Sequence, residues 1–360
     1  MRRITVAHAE LGMVLARAVY DGTGTQLLNA GMALDARHLP VLGRLEVREI
    51  LVQDPRVDDV IIEPLISEGI EARATRLLHR LLDGNRGRSL KYIQLDVVSL
   101  DRVVKAMLQE LYSAFMGEID VAGCHSLGNY EYVHPVKTAS LCLMLGKEAG
   151  IPRSELAHLG IAALLQNISY ILLPRNMVTN LDPTKGDPPE DYKKHPEWGY
   201  YILRRYPDID AKAQLAVLQH HERWNGEGFP KGLKGDQISL FARIIAIAST
   251  YHALVSKRPN QQPYPPPEAA EYISAYSGEL FDPQLAQLFI RSVPFYPKGI
   301  SVKLNTGEGG IVTNANVGYI GRPVVRICSD RYGDEVSRPY DIDLTDTEYQ
   351  SKLITEILEY

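Results

Sequence analysis

Cysteine, tryptophan and phenylalanine are scarce in this sequence. Of its 360 residues, 3 are cysteines, 2 are tryptophans and 6 are phenylalanines. The cysteines (Cys124, Cys142 and Cys328) are scattered and form no C-x-x-C pair. An odd, dispersed set of this kind does not build a disulfide framework, so we expect small buried residues in a reducing cytoplasm.

Excess positive charge and long apolar runs are also lacking. The chain has 39 Lys and Arg against 44 Asp and Glu, a formal net charge of −5. General attraction to a nucleic acid polymer or an anionic membrane is therefore not expected, and only a local basic patch could provide it. No uninterrupted apolar run approaches the roughly 18 residues that span a bilayer. We predict a cytoplasmic protein with neither a nucleic acid polymer nor a membrane as partner.

The composition and patterning predict a mainly α protein of several parts. A hydrophobic fraction of 45% and a charged fraction of 23% are typical of a globular chain. The expected order is a small β-leaning N-terminal domain at 1–65, a helical connector at 66–119, a larger helical domain at 120–293 and a small β-containing C-terminal segment at 294–360. A short helix capped by Asp35 is predicted at 35–45, one capped by Ser99 or Asp101 at 99–117, and a last one at 346–358.

The central region reads as one helix after another. Helices are predicted at 134–149, 153–168, 209–224 and 239–257, and the pair His195-Pro196 opens a further one. Proline and glycine separate these segments, as expected for a compact helical domain.

Four histidines stand at the ends of these helices or on them: His134, His195, His220 and His221. Imidazole suits transition metals such as Zn, Fe and Mn. Adjacent histidines on a helix point about 100° apart, so both reach one ion only if it lies between them. The pattern alone leaves a metal site and ordinary polar residues open as alternatives.

The string from His220 to Pro230 (HHERWNGEGFP) and its surroundings resemble the HD-GYP family. The matching features are His134, the His-Pro-x-x-Gly motif at His195, and the stretches 231–235, 242–244 and 253–259, so the resemblance covers about 130–262. It implies an all-helical HD-domain core, a site for two or three metals, and hydrolysis of the bacterial messenger cyclic di-GMP.

Several positions depart from the family pattern. The His-Asp pair that names the family corresponds to Gln166 and Asn167, and the family lysine corresponds to Tyr170. A later aspartate corresponds to Ser249, and the tyrosine of Gly-Tyr-Pro corresponds to Phe229. Asn167 has the shape of aspartate without its charge, and its amide nitrogen repels a cation.

These changes predict that no dimetal centre forms. By the family pattern one metal keeps all three of its imidazoles, on His195, His220 and His221, whereas the other keeps only His134. Two divalent ions would bring four positive charges into a site without a carboxylate. We therefore expect at most one divalent transition metal (Zn, Fe or Mn). His252, one turn after Ser249, could supply a replacement nitrogen, although packing is its more ordinary role.

A nucleotide-binding pocket can persist after the residues needed for hydrolysis are lost. By the family pattern Arg243 and Arg258 could face phosphates, and Trp224 and Phe229 could stack on guanine. Two of these residues also have a structural alternative. Arg258 could be a cation at a helix C-terminus, and Trp224 could be a core residue.

Three functions remain open from the sequence. The main hypothesis is a non-catalytic HD-GYP-like signalling protein that senses cyclic di-GMP or a related nucleotide, or docks on another signalling protein. The alternatives are a metal-dependent cyclic di-GMP phosphodiesterase with an altered, mononuclear site, and an interaction scaffold without a ligand.

Overall fold

The computed structural model describes residues 1–45, 47–113, 130–179, 187–258 and 262–358. Cys124 and the predicted boundary between 119 and 120 lie outside these ranges. Cys142 and Cys328 are buried free thiols, as predicted.

The mainly α fold is confirmed. The helices are α1 (His38–Arg44), α2 (Glu68–Asn85), α3 (Val97–Ser113), α4 (Tyr130–Glu148), α5 (Arg153–Leu165), α6 (Arg175–Thr179), α7 (Glu190–Lys193), α8 (His195–Leu203), α9 (Ala211–Gln219), α10 (Leu240–Val255), α11 (Pro266–Ala275) and α12 (Pro283–Ser292). A five-residue 3₁₀ segment, Ile168–Leu172, follows α5.

The helices from α2 to α5 and from α8 to α12 share one hydrophobic core, which extends from Ile66 to Val293, whereas Val178 of α6 and Tyr192 of α7 belong to a smaller cluster. The predicted connector is therefore part of the same packed body as the helices that follow it. At Gly160 of α5 an added Cβ would lie 2.6 Å from Val104 Cγ1 of α3, so glycine permits this close approach. The start of α3 differs from the prediction: the Asp96 carboxylate, rather than Ser99 or Asp101, accepts a backbone hydrogen bond at the helix start.

The N-terminal region is small and contains strands, as predicted. Strand β1 (Arg2–Thr5) pairs antiparallel with β4 (Glu49–Val52), and β2 (Val19–Tyr20) pairs with β3 (Gln26–Leu28). At the predicted short helix, Asp35 accepts the N–H groups of Arg37 and His38 at 2.8 and 3.1 Å. This satisfies backbone donors that a helix start leaves without partners.

The C-terminal region is a five-stranded antiparallel sheet. Its strands are β5 (Ser301–Leu304), β6 (Gly309–Asn314), β7 (Val324–Ser329), β8 (Glu335–Asp343) and β9 (Ile354–Leu358), in the order β8-β7-β6-β5-β9. The predicted helix at 346–358 is wrong, because β9 pairs with β5 and places Ile357 opposite Val302. Pairing with a distant strand here overrides the local helical pattern.

The two β regions form separate sheets but contact each other. Their shared apolar cluster consists of Leu51, Val57, Val60, Ile62, Ile311 and Cys328. Arg326 of β7 also donates to Asp59 at 2.9 Å. The ends of the chain are thus joined by side chains and by the hydrogen bond from the Arg3 N–H to the Gly299 carbonyl oxygen at 2.8 Å, and not by a common sheet.

The segment Arg153–Leu172 is long and apolar enough, by length and composition, to cross a membrane, with a mean hydropathy of 1.2. Of its most apolar window, 78% is buried inside the fold. Packing at the centre of the helical core accounts for this apolar character, and the expectation of no membrane partner stays a prediction.

Candidate functional site

Two helix ends bring His195 and His220 together. His195 is the first residue of α8, and His220 directly follows the last residue of α9. Their Nε2 atoms lie 3.3 Å apart. The Nδ1 atom of His195 lies 2.6 Å from the Tyr192 carbonyl oxygen, and that of His220 lies 2.8 Å from the Val217 carbonyl oxygen. Because a carbonyl only accepts, both Nδ1 atoms carry the proton and both Nε2 atoms carry a lone pair.

His221 completes what we call the trihistidine cluster. One ring nitrogen from each of His195, His220 and His221 lies within 4.8 Å of the others. The His221 ring stacks on Phe229 with centroids 4.7 Å apart, and its Nε2 lies 3.4 Å from the Tyr192 hydroxyl. Within the described ranges this is the one group of three or more such side chains close enough to share an ion.

Burial keeps the trihistidine cluster neutral. Desolvation lowers the pKa of His220 to about 4 and holds the pKa values of His195 and His221 well below their usual value. Neutral imidazole is the form that binds a metal. Two lone pairs that face each other at 3.3 Å repel unless a positive charge lies between them. The donor set therefore fits one divalent transition metal.

Two buried tyrosines lie beside the trihistidine cluster. The hydroxyls of Tyr170 and Tyr192 are 2.7 Å apart, and the Tyr170 ring centroid is 4.9 Å from that of His195. Burial raises the pKa of both phenols, so they stay protonated. Sequence reasoning missed Tyr192. The available signal was its place three residues before His195, which is one helical turn.

The family's His-Asp positions are buried and incompletely hydrogen-bonded. Gln166 is 0% exposed and Asn167 is 7% exposed. Within the described part of the chain, both polar atoms of the Gln166 amide and the Oδ1 of Asn167 have no hydrogen-bond partner. An unsatisfied buried polar group costs about 1–3 kcal/mol. These atoms therefore mark a place where a polar ligand would be stabilised. Ser249 is half-buried, and its hydroxyl is 3.4 Å from the Ala246 carbonyl oxygen.

His134 lies outside the trihistidine cluster and is paired with another histidine, His252. Its Nδ1 lies 2.9 Å from the Nδ1 of His252, and its ring stacks on Tyr130 at 4.7 Å. The structure thus places His252 beside His134.

Arg243 and Trp224 hold helices together. The Arg243 guanidinium contacts Asp236 at 2.9 Å and Asp282 at 2.7 Å, and it lies 5.6 Å from the Trp224 ring centroid. Asp282 also caps α12. These contacts are structural, although Trp224 is only half-buried, and a ligand role for the two residues stays a prediction.

Arg258 lies among the aromatic residues near the site. It is 5% exposed, its Cζ lies 5.4 Å from the Tyr130 ring centroid, and it donates to the Ala253 carbonyl oxygen at 3.4 Å. Burial raises the pKa of Tyr170, and the charge of Arg258 opposes that rise. Arg258 thus contacts the C-terminal end of α10, as its structural alternative predicts, and contact with phosphate stays a prediction.

Glu222 shapes the loop that carries Phe229, a role that sequence reasoning also missed. The side chain is 3% exposed and accepts the N–H groups of Lys231 at 2.8 Å and Leu233 at 2.9 Å. The loop is thus tied to the residue that follows the two adjacent histidines. The only sequence signal was an acidic residue next to an apolar pattern.

Two family models match the chain. The first, described as "HD domain", matches residues 109–285. This stretch is an HD domain. The second, described as "KOW domain associated with HD domain", matches 301–354 and includes β5 to β8.

Three proteins that are similar to this chain are all named cyclic di-GMP phosphodiesterase. A protein named cyclic di-GMP phosphodiesterase from Pseudomonas aeruginosa is 32% identical over 200 residues, which are 55% of this chain and 48% of that protein. A namesake from Thermotoga maritima is 29% identical over 65% of each chain. A response regulator of that name from Xanthomonas campestris is 26% identical over 70% of this chain and 66% of its own. The match thus spans about half to two thirds of these relatives.

A solved structure also resembles the chain. A protein described as HDG"Y"P, from Bdellovibrio bacteriovorus, is 17% identical with a TM-score of 0.47, over 80% of this chain and 97% of that one. The resemblance that the motifs indicated is confirmed for the HD domain and its named relatives. That this HD domain is degenerate stays a prediction.

Proposed function

We propose that the HD domain is a metal-dependent phosphodiesterase for a cyclic dinucleotide, with cyclic di-GMP as the first candidate. In this proposal a single divalent ion is held by His195, His220 and His221. The observation that carries it is the pair of unprotonated Nε2 atoms 3.3 Å apart, with His221 beside them. The names of the relatives support the substrate class.

Each part of the trihistidine cluster has a task in this proposal. The carbonyls of Tyr192 and Val217 hold two imidazoles in the tautomer that presents Nε2. A bound divalent ion would polarise a phosphoryl oxygen and lower the pKa of a bound water. Phe229 packs on His221 and limits the access of bulk water.

The hydroxyl of Tyr170 occupies the position of the family lysine. Because burial raises its pKa, Tyr170 keeps its proton and can donate a hydrogen bond to negative charge without adding a cation. Tyr192, at 2.7 Å, extends this pair toward His221. A neutral donor is weaker than an ammonium group, so we expect slow turnover.

A second function is favoured by the absence of carboxylates from the trihistidine cluster. Asn167 and Ser249 cannot offset the charge of two divalent ions. A site that binds the nucleotide without converting it would then act as a sensor. Docking of another signalling protein at the loop around Phe229 is part of this second function.

One set of measurements on the full chain separates these functions. We expect about one ion per chain and conversion of cyclic di-GMP to a linear product. His220→Ala should lose both, whereas His8→Ala, at an exposed histidine, should keep both. Calorimetric binding of the nucleotide without a product under Mn, Fe and Zn would establish the sensor instead. A chain that binds neither the nucleotide nor a metal would support the interaction scaffold without a ligand. Two ions per chain would refute the mononuclear site.

A further inference from the structure

An open groove lies where the β2–β3 turn, α2 and α3 meet. Four arginines line it: Arg73, Arg76, Arg80 and Arg102. Among the described residues, none that line it is an aspartate or a glutamate. This concentration of positive charge contrasts with the net charge of −5 of the whole chain. We call it the arginine groove.

The helical repeat places the arginines on one wall. Arg73, Arg76 and Arg80 are spaced i, i+3 and i+7, so they share one face of α2 over about 10 Å. Arg102 approaches from α3, where Ser99 lies one turn before it and also lines the groove. All four arginines are exposed to solvent.

The acidic residues of the two helices are engaged elsewhere. Within the described part of the chain, none of the four arginines forms an ion pair. The acidic partners nearby pair with other cations: Glu68 with Arg17, Glu71 with Lys137 and Asp101 with Lys105. The hydrogen bond from Ser99 chiefly lowers the pKa of Asp96, and the charges of Arg102 and Arg80 add to the effect. Asp96 thus acts on two of the four guanidinium groups, those of Arg80 and Arg102.

The β2–β3 turn adds hydroxyl groups to the rim. Thr23 and Thr25 line the groove, with their Oγ1 atoms 3.1 Å apart. Gly24 between them has φ +83°, and an added Cβ would lie 2.2 Å from the Ala72 carbonyl oxygen of α2. The turn is thus pressed against the helix beside Arg76. The Thr23 hydroxyl donates to Asp21 Oδ1 at 2.7 Å, so the hydroxyl left to donate beside the guanidinium groups is that of Thr25.

We propose that the arginine groove binds a compact phosphorylated ligand, separate from the trihistidine cluster. Guanidinium groups match phosphate oxygens in geometry and charge, and hydroxyls donate to the same oxygens. The span of about 10 Å along α2 fits about two or three phosphate groups. A long polyanion would continue onto a surface of net negative charge, so the groove favours a small ligand over a nucleic acid.

The test is calorimetric titration of the full chain with inorganic triphosphate, in buffer containing a chelator so that metal binding does not contribute. We expect saturable binding that weakens as salt rises from about 0.05 to 0.5 M, because screening shortens the reach of exposed charges. The double variant Arg76→Gln/Arg80→Gln should weaken binding about tenfold or more. The double variant Arg331→Gln/Arg338→Gln removes the same charge from exposed positions in the C-terminal sheet and should keep the affinity.

Three results would overturn the proposal. The first is no binding of triphosphate at low salt. The second is an equal loss in both double variants, which would reduce the effect to net charge. The third is a loss of binding in His220→Ala, which would place the ligand at the trihistidine cluster. Titration with a single-stranded RNA distinguishes the source of the phosphates: tighter binding of RNA than of triphosphate would replace the small ligand by a nucleic acid.

Discussion

Acid should destabilise the metal-free protein through the trihistidine cluster. Burial lowers the pKa of His220 from its usual 6.5 to about 4 in the folded chain. Above pH 6.5 this side chain is neutral in both folded and unfolded states and adds no pH dependence. As the pH falls from 6.5 toward 4, the unfolded chain binds a proton that the folded chain does not, so stability falls with pH.

The magnitude follows from the two pKa values. Each pKa unit corresponds to about 1.4 kcal/mol. His220 alone should therefore cost about 3 kcal/mol of unfolding free energy between pH 6.5 and 4. The pKa values of His195 and His221 are also lowered by burial, and they act in the same direction.

Urea unfolding in the presence of a chelator, at several pH values from 7 to 4, measures this loss. His220→Gln keeps an amide that can donate to the Val217 carbonyl but cannot titrate, so its loss should be smaller by about 3 kcal/mol. His8→Gln is the matched control, because it removes an exposed histidine and leaves the cluster intact. If the unfolding free energies of the parent protein and of His220→Gln fell in parallel as the pH falls, the reasoning would be refuted.

Three further predictions concern single side chains. Asn167→Asp should raise metal uptake per chain in elemental analysis and lower the stability of the metal-free form, whereas Asn167→Ala should not raise uptake. Glu222→Ala removes the acceptor of two backbone N–H groups and should cost about 2–4 kcal/mol in urea unfolding, with the exposed Glu227→Ala near zero. Arg243→Leu leaves the buried Asp282 without its partner and should cost about 3–5 kcal/mol, and Arg243→Leu/Asp282→Asn should recover part of the loss.

Each of these has a contradicting result. Unchanged metal uptake in Asn167→Asp would show that this position does not face the ion. A Glu222→Ala variant as stable as the parent would mean that water replaces the carboxylate. If the stability losses of Arg243→Leu and Asp282→Asn simply added in the double variant, the two side chains would not be coupled.

The helical architecture was largely predictable because local signals mark its ends. Proline after His195 and after Asp282 fixes two helix starts, and the apolar periodicity fixes the faces. The last strand, Ile354–Leu358, was missed because its stability comes from pairing with β5, about 50 residues earlier in the chain. No local pattern carries that information.

The site was predictable where residues follow a motif and not where they meet only in space. His195, His220 and His221 were identified from the motif, and the structure brings them together. Tyr192 was missed, because a tyrosine becomes part of a site only once its neighbours are known. His252 was named from the sequence as a possible replacement nitrogen, and the structure places its Nδ1 2.9 Å from that of His134, more than 100 residues away in sequence.

The contact between the two β regions has a practical consequence for dissecting the protein. Its apolar side chains come from both ends, with Ile62 on one side and Ile311 on the other. A fragment trimmed to the HD domain and the N-terminal strands would present those side chains to water and invite aggregation. Insoluble fragments would therefore report a lost neighbour and say nothing about the catalytic competence of the intact chain.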